Sequence, residues 1–414
     1  MKSREISVGS IAKINAETIG VNHDLKEIQY LDTGNITKNK LGIIQTIKIG
    51  KDALPSRAQR KVSDCSIIYS TVRPLQEHYG FLDKPADNLI VSTGFTTINV
   101  TDPCVDPKFL YYCLTQKNIT NYLNGIASSN VSSYPSINPD DIGNLKFSIP
   151  SDINIQKKLA SVLSNIDRKI ALNEAINLKL LAFAKTLFEY WFIQYEFPNA
   201  IGGPYKSSGG QMAWSQALKK DIPKDWSIFS VRDLAAQSTV TMSPQNNPNK
   251  KFRHYSIPTF DESGTYAIEI GDDIKSDKFV VEENDILVSK LNPWFSRVVY
   301  STNDTDLICS TEFVIWRAPN LAIKNFLFML AKDEAFIKFC TQSATGTSNS
   351  HKRINPELMM NYQFAGHPET IKKYGGSLNQ MLEMCAKNEI QNTSLKKLRE
   401  WLHPLVVNSE LAFS

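Results

Sequence analysis

Two hydrophobic rhythms alternate along this chain. Up to about residue 150 the apolar residues come in short β-rich runs, such as Cys65-Ser66-Ile67-Ile68-Tyr69-Ser70 and Thr96-Thr97-Ile98-Asn99-Val100, separated by Gly, Pro, Asp and Asn turns. That pattern predicts a mixed globular domain. Within it, residues 107–123, with Phe109, Leu110, Tyr112, Cys113, Leu114, Ile119 and Tyr122, predict an amphipathic helix packed on the strands, and residues 323–339 predict its counterpart. After Pro150 the rhythm changes. Ile155, Leu159, Val162, Ile166, Ile170, Ile176, Leu180, Phe183, Leu187 and Trp191 follow in steps of mostly three and four, which predicts one long helix with a continuous apolar seam. At ~1.5 Å per residue it would run about 55 Å. A second such region covers 369–408, with Leu378, Leu382, Ile390, Leu395, Leu398, Leu402 and Leu405; Gly375-Gly376 is expected to delay its start and Pro404 to end or bend it. Neither seam can be buried by its own helix. Antiparallel pairing of the two helices is the economical solution and would relate two halves by a pseudo-twofold axis; pairing with a second copy is the alternative.

The chain also repeats itself. Ser133-Tyr134-Pro135-Ser136-Ile137-Asn138-Pro139-Asp140 is echoed by Ser350-His351-Lys352-Arg353-Ile354-Asn355-Pro356-Glu357 at an offset of 217. Ser92-Thr93-Gly94-Phe95 matches Ser310-Thr311-Glu312-Phe313 at 218, and Ser70-Thr71-Val72-Arg73-Pro74 matches Ser289-Lys290-Leu291-Asn292-Pro293 at 219. Upstream, Val8-Gly9-Ser10-Ile11-Ala12 corresponds to Val231-Arg232-Asp233-Leu234-Ala235 at 223. Downstream, Asn173-Glu174, Asn177 and Leu180 recur as Asn388-Glu389, Asn392 and Leu395 at 215. The order is collinear, so the chain is two related halves.

The expected fold class is α+β: two globular α/β domains, 1–150 and 222–368, related by pseudo-twofold symmetry and separated by two long antiparallel coiled-coil helices at 151–196 and 369–414. The Gly-, Pro- and Ser-rich stretch at 197–221 reads as a linker without a packed element. Length agrees, since 414 residues exceed what a single core sustains. Hydrophobic residues make up 42% and charged residues 21%, enough for sizeable cores. The net charge of +4, from 46 basic and 42 acidic residues, is too small to identify an anionic partner by itself. The opening lacks the apolar core of a signal peptide, and the most apolar stretch, 178–193, is interrupted by Lys179, Lys185 and Glu189. A soluble, cytoplasmic protein without a membrane partner is expected.

Catalytic motifs are missing from the sequence. There is no Gly-x-Gly-x-x-Gly or Walker-type loop, no His-Glu-x-x-His and no Gly-x-Ser-x-Gly elbow. Six cysteines stand without a Cys-x-x-Cys pair and six histidines without ligand spacing, so no metal site, disulfide framework or catalytic residue is expected. Asn292-Pro293-Trp294 faintly resembles the adenine-holding motif of amino-methyltransferases but lacks its second Pro and any cofactor loop; it reads as a turn after a strand. Asp140-Asp141 follows Asn-Pro at a helix start, where capping explains it.

The positive signal is polar and basic residues in matching turn-rich segments. The first domain offers Arg57, Arg60, Lys61, Arg73, Gln76 and His78, then Ser132, Ser133 and Tyr134. The second offers Lys250, Lys251, Arg253 and His254, then Lys290, Asn292, Trp294 and Arg297, then Ser348, Asn349, His351, Lys352 and Arg353. Arg and Lys bond guanine acceptors or phosphate, Asn and Gln bond adenine, and Ser, Thr and Tyr hold phosphates. Any one such residue is ordinarily a solvated loop residue; recurrence in equivalent places favours DNA contact for each set.

The arrangement resembles the specificity subunit of type I restriction-modification systems. The resemblance rests on Ser136-Ile137-Asn138-Pro139, Phe147-Ser148-Ile149-Pro150, Ile155-Gln156-Lys157-Lys158-Leu159, Leu163-Ser164-Asn165-Ile166-Asp167-Arg168-Lys169-Ile170, Leu172-Asn173, Asn177, and 184–192, reading Ala-Lys-Thr-Leu-Phe-Glu-Tyr-Trp-Phe. The opening of the second domain, Ile222-Pro223-Lys224-Asp225-Trp226, is similar to the family's Ile-Pro-x-x-Trp. The resemblance implies a noncatalytic reader of double-stranded DNA: two target-recognition domains, each reading one half of a split, asymmetric site, with the helices as a ruler. It implies docking of two adenine-N6 methyltransferase subunits through the helices, and recruitment of restriction subunits by the resulting complex. For that spacer and docking role the candidates are Ile155, Leu159, Ile166, Ile170, Leu180, Leu187, Trp191, Leu395, Leu398 and Leu402. No cofactor is expected on this chain; S-adenosylmethionine, ATP and Mg belong to the implied partner subunits. The second helical region departs from the pattern, lacking the Leu-Ser-x-Ile-Asp run and holding Tyr374-Gly375-Gly376, which puts equal docking of both methyltransferase subunits in question. A coiled-coil adaptor for proteins alone and a self-contained DNA methyltransferase are the rival readings.

Overall fold

The computed structural model describes residues 2–20, 24–129, 135–346 and 351–408. The chain forms two compact α+β units, Met1–Lys169 with Lys396–Ser414, and Ile170–Leu395. Each unit therefore takes part of both long helices, a division different from the five consecutive segments read from the sequence.

In the first unit the two ends of the globular domain are stitched together. Strand Ser3–Ser7 pairs antiparallel with Lys146–Pro150, Ser3 opposite Pro150 and Ser7 opposite Lys146. One four-stranded sheet has the spatial order Ala12–Ile14, Phe95–Val100, Ser66–Ser70, Tyr79–Leu82. Ser66–Ser70 lies inside it and is buried at every position, as its unbroken apolar run requires. A second sheet runs Gln45–Lys48, Glu27–Leu31, Leu89–Ser92, Ala58–Lys61, with Glu27–Leu31 and Leu89–Ser92 parallel. The second unit repeats this plan. Its sheets are ordered Ala236–Ser238, Phe313–Arg317, Asp285–Ser289, Val298–Tyr300, and Thr241–Met242, Lys278–Val280, Leu307–Cys309, Lys251–Tyr255, Ala267–Ile270, again with one parallel pair. Ser227–Ser230 and Gln363–Gly366 close it as the terminal strands close the first.

The amphipathic stretch at 107–123 is two helices, Pro107–Leu114 and Lys117–Ser129. Its polar interruption explains the break: the Thr115 hydroxyl donates to the Tyr111 carbonyl at 3.0 Å and the Gln116 amide to the Cys113 carbonyl at 3.2 Å, taking up the free carbonyls of the first helix. Its counterpart likewise divides into Leu321–Ala331 and Glu334–Ser343.

The seam after Pro150 is the helix Ile153–Phe188, 36 residues long. Gln156, fully buried, ties its first turn down: its amide nitrogen donates to the Cys104 and Pro150 carbonyls at 3.0 and 2.8 Å, and its oxygen accepts from the Asp106 amide at 2.8 Å. Leu159 and Leu163 enter the first unit's core with Val406 and Val407. The Asp167 carboxylate there accepts from the Tyr112 hydroxyl at 2.8 Å and the Arg399 guanidinium at 2.5 Å. His403 donates to the Tyr112 carbonyl at 2.8 Å, and burial pushes its imidazole down to about 4, so it is neutral at physiological pH.

The second helical region is Pro368–Ser377 followed by Asn379–Val407. The long helix starts only after Gly375-Gly376, at Asn379, and Gly375 itself lets two helices touch. A Cβ at Gly375 would fall 1.8 Å from the Ala322 carbonyl oxygen, and Asn325 donates across the same contact to the Gly375 carbonyl at 2.8 Å. The departure at Tyr374-Gly375 is thus a packing requirement of the second unit, where Tyr374 also donates to the Ala184 carbonyl at 2.9 Å. Nor does Pro404 end its helix, which continues to Val407. The proline, lacking an N–H, removes one intrahelical hydrogen bond in the last turns. The stretch at 197–221 is packed rather than loose: Phe197 stacks on Tyr205 and Trp226, and Met212–Ser215 pairs with Lys220–Pro223. Two of its aromatic rings, Phe197 and Tyr205, pack with Trp226 just beyond it into a cluster that the Gly/Pro/Ser content concealed.

Within the second unit the two helices run antiparallel and meet through buried asparagines. Asn173 donates to Gln391 and Asn392 at 2.8 Å each, Asn177 to the Cys385 carbonyl at 3.0 Å, and Asn388 to Asn177 at 2.8 Å. Asn173 and Asn392 are paired across the seam, as are Asn177 and Asn388, so slippage by one turn would leave buried amides without partners. Replacing Asn173 or Asn392 singly by Leu is expected to lower the local stability of residues 170–188 by about 1–3 kcal/mol, with the double Leu variant recovering part of the loss. Native-state hydrogen exchange of that helix measures both.

Candidate nucleic-acid interface

A turn of unusual backbone recurs in both units. After the central strand of the first, Arg73 is left-handed (φ 48°), Pro74–Gln76 form a short 3₁₀ turn, and Glu77 is left-handed again (φ 55°). In the second, Asn292 (φ 49°), Pro293–Phe295 and Ser296 (φ 49°) do the same. Proline pre-sets the turn and the hydrogen bonds enforce it.

Those bonds match one for one. Ser70 Oγ donates to the Val72 carbonyl at 3.0 Å, and Ser289 Oγ to that of Leu291 at 3.1 Å. The amides of Thr71 and Lys290 donate to the carbonyls of Gly94 and Glu312, each at 2.9 Å. The amides of Arg73 and Asn292 reach Pro135 and Lys352 at 2.9 and 2.8 Å, and those of Ile137 and Ile354 return to Thr71 and Lys290 at 2.8 and 3.1 Å. Each unit thus joins three segments of separate sequence: the strand-end turn, the Thr-Gly or Thr-Glu turn at 93–94 or 311–312, and the segment beginning at 135 or 351. In the first, the Thr93 amide donates to the Arg57 carbonyl at 2.8 Å and adds the Arg57 loop.

This frame sorts the candidate residues. Arg57, Arg73 and Gln76 stand exposed around it in the first unit; Lys290, Trp294, His351, Lys352 and Arg353 lie on it in the second. Ser132, Ser133, Tyr134, Ser348 and Asn349 lie outside the described residues. Asn292 lies on the frame with its side chain engaged, its Oδ1 accepting from the Lys352 amide at 3.0 Å, so it holds the 351–353 segment in place.

His78 and Arg297 occupy equivalent positions and are anchors. His78 Nδ1 donates to the Ile36 carbonyl at 2.6 Å; Arg297 grips Asp261 through Nε and Nη2 at 2.6 and 2.8 Å, with its side chain 10% exposed. The set at 250–254 lies toward the other end of its strand. Tyr255 is the end that reaches the frame, through the Ser310 amide at 2.9 Å, and Lys250 is five residues away, about 16 Å along a strand. Lys250 pairs with Asp306 at 2.7 Å, Arg253 donates to the Thr305 carbonyl at 2.8 Å, and His254 is buried against Glu269 at 3.0 Å, where desolvation holds its imidazole below the ordinary value. Arg60 is half-buried, its guanidinium pulled below its ordinary value by desolvation, and the exposed Lys61 lies next along the same strand, farther from the frame.

Sequence reasoning named Trp294 but missed the apolar tips Leu75 and Phe295. Leu75 and Trp294 share the equivalent position and are 51% and 38% exposed; Phe295 follows at 58%. Their signal was available in the repeat, as apolar residues at corresponding points of a turn.

The helix candidates divide similarly. Leu159, Ile170 and Trp191 are buried in this chain's own cores, and Ile155, Ile166, Leu180, Leu187, Leu395 and Leu402 are partly buried, whereas Leu398 is exposed. A seam closed by its own partner helix offers little to another subunit. Leu172, Leu178, Phe183, Tyr190, Ile193, Met384 and Trp401 join Leu398 as large apolar side chains that the described helical segments leave exposed.

Three comparisons bear on this geometry. Residues 6–182 match the family model described as the type I restriction modification DNA specificity domain. The specificity subunit of the type I restriction enzyme HindI from Haemophilus influenzae is 29% identical over 231 residues, covering 55% of this chain and 50% of the relative. That of MjaIX from Methanocaldococcus jannaschii is 23% identical over 341 residues, covering 80% and 75%. The chain thus aligns to half the length of the first relative and three quarters of the second. The crystal structure of the type I restriction-modification system S subunit from M. genitalium shares the fold, with TM-score 0.58, 13% identity and coverage of 100% of this chain and 97% of that one. No helix among the described residues is long and apolar enough to cross a membrane.

Asn292→Gly keeps the left-handed backbone accessible and removes only the side-chain clamp. The Lys352 amide should then exchange about five- to ten-fold faster, corresponding to ~1–1.5 kcal/mol, and unchanged exchange would assign the segment's order to its backbone bonds alone. The domain match over residues 6–182 and the two relatives make this chain similar to the specificity subunits of type I restriction-modification systems.

Proposed function

We propose that this chain is the noncatalytic DNA-specificity subunit of a type I restriction-modification complex, reading a bipartite, asymmetric site with one half-site per domain. One observation carries the reading: two turns with the same backbone bonds present different side chains. Arg73, Leu75 and Gln76 stand where the second domain has Asn292, Trp294 and Phe295. A common frame bearing different tips is what two different half-sites require. Exposed Arg57 and Arg73 and partly exposed Lys290 and Lys352 supply donors for phosphate and base edges, and the apolar tips suit sugar and thymine-methyl surfaces. Ser132-Ser133-Tyr134 and Ser348-Asn349 adjoin the frame in sequence and are proposed to contact DNA with it.

The partners follow from the same reading: double-stranded DNA, two adenine-N6 methyltransferase subunits carrying S-adenosylmethionine, and restriction subunits using ATP and Mg, all acting in the cytoplasm. This chain would position the DNA and leave the chemistry to them. Docking is assigned to the exposed apolar residues of the helical segments, Phe183 and Leu178 foremost, since the seam itself is closed.

Co-expression with the companion methyltransferase subunit, followed by single-molecule mapping of modified adenines across the host genome, tests the reading. A split motif with N6-methyladenine in both halves is expected; a stable complex that modifies one contiguous motif would overturn the two-domain assignment. Phe183→Asp should abolish co-purification of the methyltransferase while changing the chain's own stability by less than about 1 kcal/mol, as surface substitutions do. Unimpaired co-purification would move docking off this helix face.

A further inference from the structure

In the second unit Glu312 meets one edge of Arg353. Its carboxylate accepts from Nε at 2.9 Å and from Nη2 at 3.0 Å, which occupies the side of the guanidinium that carries Nε. The opposite edge, formed by Nη1 and the outer hydrogen of Nη2, takes no partner among the described residues, and the side chain is 44% exposed. The base of the side chain is equally fixed. Arg353 and Thr345 exchange both backbone hydrogen bonds, at 2.8 and 2.9 Å, and the next residue, Ile354, is buried. With its backbone and one edge already held, this arginine loses little rotamer freedom on binding.

Its neighbour Arg297 shows the contrast. Asp261 takes its Nε and Nη2, Nη1 turns inward to the Leu291 carbonyl at 3.4 Å, and the group is nearly buried. No outward fork remains there.

Two groups on DNA accept an end-on guanidinium fork: a phosphate, which is bound chiefly by charge, and the O6/N7 edge of guanine, which is bound by direction. Glu312 decides between them. It cancels the charge of Arg353 and would repel a phosphate, yet it leaves the two outer donors aimed as before. Resting on the reading of this chain as a DNA-specificity subunit, we propose that Arg353 reads one guanine in the half-site of the second domain through its Nη1/Nη2 edge, and that Glu312 is a positioning residue holding that edge outward. The first domain has Gly94 and Ser136 at the equivalent positions, so its half-site is read without this device.

The test uses the full chain in complex with its methyltransferase subunits and compares the modified motif of wild type, Arg353→Ala, Arg353→Lys and Glu312→Gln. Arg353→Ala and Arg353→Lys should each relax the preference for guanine at one position of one half-site by roughly ten-fold or more, leaving the other half-site unchanged. Glu312→Gln, which keeps a single acceptor, should relax the same position less. Uniform weakening at all positions, with a salt dependence shallower by about one counterion, would identify a phosphate contact and overturn the proposal. Unchanged stringency in Arg353→Lys would overturn it too, reducing the pair to a structural ion pair, and this variant decides should Arg353→Ala fail to assemble. If the wild-type complex modifies no bipartite site, the specificity-subunit reading fails first and separately.

Discussion

An apolar seam on a 36-residue helix has to be covered, and much else in this molecule follows from how that is done. In the first unit the helix start and the C-terminal helix close over the domain core, with Asp167 gathering Tyr112 and Arg399 into one buried polar knot. In the second unit the seam closes on amides: Asn173 with Asn392, and Asn177 with Asn388. These are the same residues that the internal repeat matches, Asn173 with Asn388 and Asn177 with Asn392, so each pairs with the equivalent of the other. Crossed pairing of that kind is the contact pattern of two like segments meeting antiparallel, and it makes the register a consequence of the duplication. Buried amides add little net stability, but an unpaired one costs far more than a pair contributes, so they select one alignment among several that apolar residues alone would tolerate.

The turns use the same economy of constraint. A left-handed residue, a proline and a second left-handed residue leave few conformations, and the serine and backbone bonds around them remove the rest. Reading groups mounted on such a frame start close to their bound geometry, which lowers the ordering cost of recognition. The frame tolerates different residues at its tips because its bonds come almost entirely from backbone atoms. The Asn292 side chain adds to these bonds by fastening the 351–353 segment.

Much of this was legible in the sequence, for identifiable reasons. The seam, the duplication and the strand runs are periodic or repeated signals, carried by many residues at once, and the structure has them. Single polar residues carry no such redundancy. Nothing near Arg297 in sequence announces Asp261, 36 positions upstream, and nothing near Lys250 announces Asp306; a basic residue in a turn looks the same whether its charge is spent or available. His254 read as a candidate because burial against Glu269 is a tertiary fact. The seam leucines read as docking groups because periodicity marks what is buried and is silent on which partner buries it. Tyr374-Gly375 looked like a defect in a helix pattern until the Ala322 carbonyl supplied the reason.

The two domains also differ in what their frames allow. A Cβ at Gly94 would lie 2.8 Å from Thr33 Cγ2, so a carboxylate placed there as at Glu312 would require the Thr33 side chain to move. Thr33 belongs to a short 3₁₀ turn capped by Asp32, whose carboxylate accepts the Thr33 amide at 2.8 Å and the Tyr30 hydroxyl at 3.2 Å, and that turn has no counterpart holding Glu312. The first domain therefore keeps its acidic group on the adjoining turn at Asp32, beside the Arg57 loop, where the second keeps its own directly on the frame beside Arg353. A shared backbone frame with differently placed acidic groups, Asp32 in one domain and Glu312 in the other, gives each domain its own pattern of donors and acceptors, and the difference is set by packing beneath the turn as well as by the residues at its tip.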